Sequence, residues 1–346
     1  MRSLKPGLLI ALALTLATVA AAGAQEFTVF APVGAVNGTL AGRIDSSGRI
    51  VGIYFGSNHV QHGFARSSDG TIITVDPPNS TMTFAAGSTS VGEIAGTYID
   101  SSQADHGFVR SVKGGYHSFK VKYSSTRVTG INALGWTVGF YGVLPNVHGF
   151  LRNASGTITL FDPSGSSSTL PTTINGRGWI AGTYLDAKGV RHGFVRNVQG
   201  KFTSFIPERS SSFYVNSINA SNEVVGSYTD ANNVQHGYIR YAGGRITSFD
   251  VPGSTLTNFY TANDKGVVVG VYRTGGIDQH GFARKSDGSI ILFDAPGASE
   301  TIPSGINNGG QISGSENAAN GVYEGFLYSL PQLRPHPYPS DPSAIE

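Results

Sequence analysis

Six histidines recur along the chain, each opening a His-Gly-aromatic triplet: His62, His106, His148, His192, His236 and His280. The interval is 44 residues, and once 42. Imidazoles titrate near neutral pH and ligate metals, so a ring of bases or metal ligands is the first chemistry to weigh. A tyrosine precedes each triplet by seven or eight residues: Tyr54, Tyr98, Tyr141, Tyr184, Tyr228 and Tyr272. Carboxylates stand at Asp76, Asp162, Asp250 and Asp294, three of them directly after a phenylalanine. Bare carboxylates suit calcium. A second group of residues departs from the repeating pattern: Lys120, Lys122, Tyr123, Glu208, Arg209, Glu300 and Glu316. Glu208 and Glu300 could form a carboxylate pair of the kind that cleaves glycosidic bonds.

The spacing weighs against most of this chemistry. One histidine per 44 residues falls on equivalent strands away from any common axis. Such side chains are too far apart to share one ion held at about 2 Å. The histidines are therefore expected to hydrogen-bond to a nearby Tyr or Asp, since buried polar groups need partners. The Gly beside each is expected to let the neighbouring sheet pack close, with the following aromatic filling the space between sheets. The tyrosines are expected to be structural too, each with an apolar ring and a tethered hydroxyl. The four aspartates are expected to cap the turn into the Pro-Gly segment that follows. No EF-hand spacing, Gly-rich phosphate loop, nucleophile elbow or His-Glu-x-x-His pair is present. No catalytic residue, metal or cofactor is assigned.

What positions these residues is a tandem repeat. A Gly-x-Tyr element precedes each His-Gly-aromatic triplet by about ten residues, with glycines at Gly52, Gly96, Gly139, Gly182, Gly226, Gly270 and Gly314. Seven residues before those glycines stand Asp45, Thr89, Asn132, Asn175, Asn219, Asn263 and Asn307. Asn shortly before Gly is hairpin-turn chemistry, because both tolerate positive φ. Each unit ends in an alternating segment such as Ile246-Thr247-Ser248-Phe249. Alternation of β-branched and aromatic residues between Gly, Pro, Asn and Ser marks strands. Each repeat thus predicts four strands, A to D, which is one blade of a propeller. In the seventh copy Glu316 replaces the Tyr and Glu324 the His, and strand D is missing. The segment Phe27–Pro32 matches strand D and precedes the first A strand. An all-β, seven-bladed β-propeller follows, closed by the N-terminal strand completing the last blade. An open solenoid, which would cap its ends, is the alternative.

The His-Gly-Phe strand, the Ile-Asn-x-x-Gly turn and the Val-x-Gly stretch resemble the bacterial extracellular repeats called the HAF family, named for a His-Ala-Phe triplet at this place. Here Gly replaces Ala in every copy, as in a variant or sister repeat. The resemblance spans residues 27 to 330 and implies an exported, propeller-like protein without a settled activity.

The ends and the composition agree with export. Arg2 and Lys5, the apolar run Leu8–Val19 and the small residues Ala22-Gly23-Ala24 read as a signal peptide over residues 1–24. The propeller then occupies 25–330, and 331–346 is a Pro-rich tail expected to be disordered. The chain has 47 glycines and no cysteine, so stability must come from a core rather than disulfides. Without Arg2 and Lys5 the basic and acidic residues balance at 22 each. That balance, with no basic stripe, argues against nucleic acid and anionic membranes as partners. The expected mature form is secreted, monomeric and without a membrane anchor.

On these grounds the chain reads as a non-enzymatic module that binds an extracellular glycan or protein. With strand D outermost, the D–A and B–C loops share one face. The ligand-face candidates are Lys120, Lys122, Tyr123, Glu208, Arg209, Glu300 and Glu316. A secreted lyase or hydrolase working from the same face is one alternative. A structural surface or biofilm component is another.

Overall fold

The computed structural model describes residues 27–331. The expected leader and all of the Pro-rich tail after Pro331 lie outside the described residues. Among these residues there are 28 strands and no helix. Repeat one shows the plan: A (Thr39–Ile44), B (Ile50–Phe55), C (Gln61–Arg66) and D (Ile72–Thr74) pair in that order as an antiparallel meander. The last repeat supplies only A (Glu300–Ile306), B (Gln311–Asn317) and C (Tyr323–Ser329). Its outer place is taken by Phe27–Phe30, antiparallel to strand C with Phe27 opposite Tyr328 and Phe30 opposite Gly325.

Repeats five and six depart from separate four-stranded sheets and join into one of eight strands. Strand D of repeat five, Ile246–Phe249, covers only Gly237–Arg240 of its strand C. The uncovered Gln235 pairs in parallel with Leu256, at the start of the next strand A.

Glycine is required in strand B by two neighbours at once. Every strand A shifts register near its end, as between Val128 and Gly130 or Phe259 and Thr261. Such a bulge bends the strand. A Cβ added to the facing strand-B glycine would lie 1.9–2.3 Å from a strand-A carbonyl oxygen in all seven repeats. On its other side the strand-C aromatic is its cross-strand partner, as Phe150 is for Gly139. The glycine of the His-Gly-aromatic triplet has a different role from the one expected. Its close neighbour is mostly the strand-D phenylalanine of the same sheet: Phe119 over Gly107, Phe161 over Gly149, Phe205 over Gly193 and Phe293 over Gly281. Only Gly237 meets the next repeat's ring, that of Phe259. A side chain here would displace a ring of its own sheet.

Adjacent sheets bury their apolar faces together. Val225 and Ile239 of repeat five pack with Phe259, Val268 and Phe282 of repeat six. In repeats three to six the arginine ending strand C stacks on the strand-D phenylalanine of the preceding sheet: Arg152 on Phe119, Arg196 on Phe161, Arg240 on Phe205 and Arg284 on Phe249. Arg66 of repeat one stacks in the same way on Phe30, 4.9 Å from its ring centre.

The asparagines do more than shape turns. Asn132 Oδ1 accepts from the N–H groups of Leu134 and Trp136, closing its own A–B turn. The positive φ falls three residues later, at Gly135, Gly178, Asn222, Gly266 and Gly310, not at the asparagine. The Asn side-chain amide is then free to donate to the next repeat. Asn132 Nδ2 donates to Asn175 O, Asn175 to Asn219 O, Asn219 to Asn263 O, Asn263 to Asn307 O and Asn307 to Asp45 O, at 2.8–3.2 Å.

Candidate ligand-binding site

Each histidine lies in the first three residues of strand C and stands opposite the tyrosine of strand B. The rings stack or tilt together, with centroids 4.7 Å apart for Tyr98 and His106 and 5.0 Å for Tyr54 and His62. Each histidine also has an aspartate, taken from one of two places, and His236 has one from each, with Asp230 of the B–C hairpin 3.6 Å from its Nε2. In one kind of repeat Nδ1 meets the aspartate after strand D: His62 with Asp76 (2.6 Å), His148 with Asp162 (2.9 Å), His236 with Asp250 (2.8 Å) and His280 with Asp294 (3.0 Å). In the other kind Nε2 meets the aspartate of the B–C hairpin: His106 with Asp100 (2.7 Å) and His192 with Asp186 (3.1 Å). Asp76, Asp162, Asp250 and Asp294 therefore tether a histidine instead of only capping a turn. Asp76 also accepts from the Gly63 N–H through its second oxygen. Because both kinds of loop reach the same histidine position, the D–A and B–C loops lie on one face. The hydroxyls of Tyr54, Tyr184 and Tyr228 meet Thr74, Ser204 and Ser248 on strand D. Among the described residues no group of three His, Asp or Glu is placed to hold a metal ion.

The carboxylates of the hairpin kind are held ionised. Hydrogen bonds from Ser102 and His106 and from backbone N–H groups pull Asp100 well below the usual carboxylate range. Asp186 is lowered chiefly by His192, and Asp230 chiefly by the Val234 N–H.

The seventh repeat replaces the stacked pair by two carboxyl groups. Glu316 on strand B and Glu324 on strand C are cross-strand partners. Burial pushes the Glu316 carboxyl up, and the charge of Glu324 pushes it further. Glu300 sits at the start of the adjoining strand A and accepts a hydrogen bond from the Tyr323 hydroxyl. That bond raises the Tyr323 phenol to about 12.

The pattern-breaking residues fall in three places and do not converge. Lys120, Lys122 and Tyr123 form a tight D–A loop around buried Val121. Lys122 and Tyr123 both adopt left-handed backbone (φ 48° and 56°), and Tyr123 is 98% exposed. The Lys122 ammonium lies 5.7 Å from the centre of the Tyr141 ring. Glu300 and Glu316 belong to the seventh repeat. Glu208 and Arg209 lie on another D–A loop, where Arg209 is again left-handed (φ 60°). Bulky residues rarely hold positive φ, and such strain gathers at functional loops. Glu208 and Glu300 therefore sit in different settings, one on an exposed loop and the other tied to Tyr323.

The Glu208–Arg209 loop borders a groove of about 620 Å³ along the outer strand of repeat five. Glu208, Arg209, Tyr228, Arg245 and Ser248 supply its polar groups, and Ile206, Pro207 and Ile246 its apolar wall. The Tyr228 hydroxyl and Ser248 Oγ are 2.9 Å apart, and the Arg245 guanidinium stacks on Tyr241 at 4.3 Å. Arg245 was not singled out from the sequence. It sits in the C–D turn, which repeats in every unit and attracts no notice there.

The fold and this loop face define a β-propeller. Neither a family model nor a curated protein matches the chain. Among solved structures it is similar to virginiamycin B lyase from Staphylococcus aureus, with a TM-score of 0.61 at 13% identity over 88% of this chain and 99% of that one. It is also similar to the β-propeller domain of the Trilobed protease from Pyrococcus furiosus, with a TM-score of 0.59 at 11% identity over 84% and 93%. A third is the BP39L lectin from Burkholderia pseudomallei, with a TM-score of 0.56 at 10% identity over 85% and 96%. At these identities the likeness is one of fold.

Proposed function

We propose that the chain is a secreted, closed seven-bladed propeller, related to the HAF-type repeats, that binds an extracellular glycan in the groove beside Glu208 and Arg209. Closure is supported by contacts that recur between consecutive repeats and also join the last to the first. Arg66 stacks on Phe30, the asparagine relay runs on from Asn307 to Asp45, and the Ala41 N–H donates to Ser315 Oγ at 2.9 Å as the Val128 N–H does to Thr97 Oγ1. The propeller of the Trilobed protease is described as having an open velcro topology. Here the N-terminal strand is hydrogen-bonded into the last sheet.

The observation that carries the glycan proposal is the groove's mixed lining. Two guanidinium groups, a carboxylate and two hydroxyls face an apolar wall across a space large enough for a small-molecule ligand. Sugars offer the matching surfaces, hydroxyls on their edges and C–H groups on their faces. The lectin among the structural neighbours shows that this fold carries such a function elsewhere.

The test is calorimetric titration of residues 25–346 with a panel of soluble polysaccharides, repeated on a Glu208→Ala/Arg245→Ala variant. Both residues are exposed, so the variant should fold. Binding by the wild type that the variant loses supports the proposal. Equal binding by both places the ligand elsewhere. No binding by either, with capture of a defined extracellular protein instead, replaces the glycan by a protein ligand.

A further inference from the structure

The first strands of successive repeats face one another around a shared interior, with that of repeat seven touching that of repeat one. Counting back two residues from the turn position of each repeat gives Arg43, Gly87, Gly130, Thr173, Ser217, Thr261 and Gly305. Six are small and one is arginine. Arg43 extends across the interior from repeat one. Its Nη1 lies 3.6 Å from the place a Cβ on Gly130 of repeat three would occupy. The same guanidinium reaches Thr172 O and Thr173 Oγ1 of repeat four only at 3.4 and 3.5 Å. Both distances exceed the usual range for N–H···O bonds.

No carboxylate among the described residues pairs with Arg43. The acidic groups at the turn end of the interior are engaged elsewhere. Asp45 accepts from Ser47, Arg49 and Ser88, and Asp264 from the Ala220 N–H and Asn308. A cavity of about 250 Å³ opens beside Arg43, bordered by Asn216, Ser217, Tyr260, Thr261 and Ser304. Burial pushes the Arg43 guanidinium down, yet an arginine keeps its charge in proteins.

We infer that this cavity is a binding site for a small oxyanion, a carboxylate or a sulfate or phosphate ester, held by Arg43. Three features point there together. The charge is lone and lacks short hydrogen bonds, and six of seven equivalent positions are small enough to leave room around it. The hydroxyls of Tyr260 and Ser304 on the border can donate to the same kind of ligand. The planar fork of arginine matches carboxylate and phosphate oxygens in pairs. The cavity falls just below the size of typical ligand pockets, which suits a single acidic sugar or a small organic acid. The site lies in the interior, apart from the outer groove proposed above, and does not depend on it.

The test measures melting temperature against concentration of acetate, glucuronate, sulfate and inorganic phosphate, with chloride at matched ionic strength and glucose as a neutral control. The wild type should show a saturable rise of several degrees with at least one oxyanion and none with glucose. Which oxyanion acts separates a carboxylate site from a sulfate or phosphate site. Arg43→Gln should weaken that binding about 10- to 100-fold, as expected for loss of a charged hydrogen bond. Should Arg43→Gln not fold, Ser304→Asp keeps the arginine and supplies a carboxylate to neutralise it, and should abolish the response equally. A response to oxyanions that is absent in the wild type, or unchanged in both variants, would overturn the site. Destabilisation of Arg43→Gln with no oxyanion response in the wild type would make Arg43 a purely structural brace.

Discussion

Replacing Gly139 by alanine tests the packing logic that every repeat shares. The added Cβ would stand 1.9 Å from the Arg127 carbonyl oxygen and 2.9 Å from Cε1 of Phe150. A side-chain Cβ essentially never stands within 3.0 Å of a non-bonded heavy atom, so the strand-A carbonyl must retreat by about 1 Å or more. It cannot do so freely, because Val128 is registered opposite Gly139 and the bulge begins there. Overpacking costs about 1–3 kcal/mol, and loosening one ladder hydrogen bond adds about 1 kcal/mol. The expected loss is about 2–4 kcal/mol, or a fall in Tm of about 4–8 °C at roughly 2 °C per kcal/mol for a domain of this size. Gly243→Ala is the control. It lies in a C–D turn, has nothing within 4 Å of its added Cβ, and has no left-handed φ. Alanine there should be neutral or raise stability by about 0.4–1 kcal/mol through the unfolded chain. Melting followed by circular dichroism reads both. Equal Tm values for the two variants would refute the claim that the repeated glycine is a spacing requirement.

Three further outcomes are expected. Phe30→Ala should cost about 2–3 kcal/mol, less than for a fully buried ring, because it removes the contacts with Phe64 and Arg66 that tie the N-terminal strand to repeat one; an unchanged denaturation midpoint would show that the first and last repeats are not joined through it. Asp100, Asp186 and Asp230 all have folded pKa values below their unfolded ones. Their contribution is therefore complete above the ordinary carboxylate range and lost as pH falls through the depressed values, so the acid limb of the stability curve should be shallower in Asp100→Asn than in the wild type. Glu316 is the opposite case, with a raised folded pKa; stability should fall as pH climbs above the ordinary glutamate range, and Glu316→Gln should melt higher than the wild type at pH 7 and show a flatter profile there.

Much of the fold was legible because the chain states it repeatedly. Strand boundaries, the place of the N-terminal strand and the face shared by two sets of loops follow from the order of the motifs. The histidines illustrate where this stops. Their need for a polar partner was readable, but its identity was not, since Asp100 lies six residues before His106 and Asp76 fourteen after His62. Two sequence distances reach one position in space because the B–C and D–A loops meet there. The asparagine relay was hidden for a related reason. A turn asparagine looks complete once its oxygen closes the turn, and only the neighbouring repeat reveals where its amide donates. The triplet glycine was assigned to contact between sheets because sequence does not show that a strand-D ring folds back over it.

Arg43 shows the converse, a feature that was present in the sequence and passed unnoticed. Ordinary scanning sees one arginine in an A strand. Aligned on the turn position, it is the single long, charged side chain among Gly, Ser and Thr. Loops vary freely because solvent tolerates most side chains, so differences such as Lys120 or Glu208 carry little weight by themselves. A position facing a narrow interior is constrained in size by its equivalents in the other repeats. A departure there has a cost, the partial burial of a guanidinium without a short hydrogen bond or a counter-charge. In a symmetric protein a break in the inner strands is thus a stronger pointer to a ligand than a break in the outer loops. The six small residues and the arginine are one feature, because a second long side chain at any of those positions would fill the space the first needs.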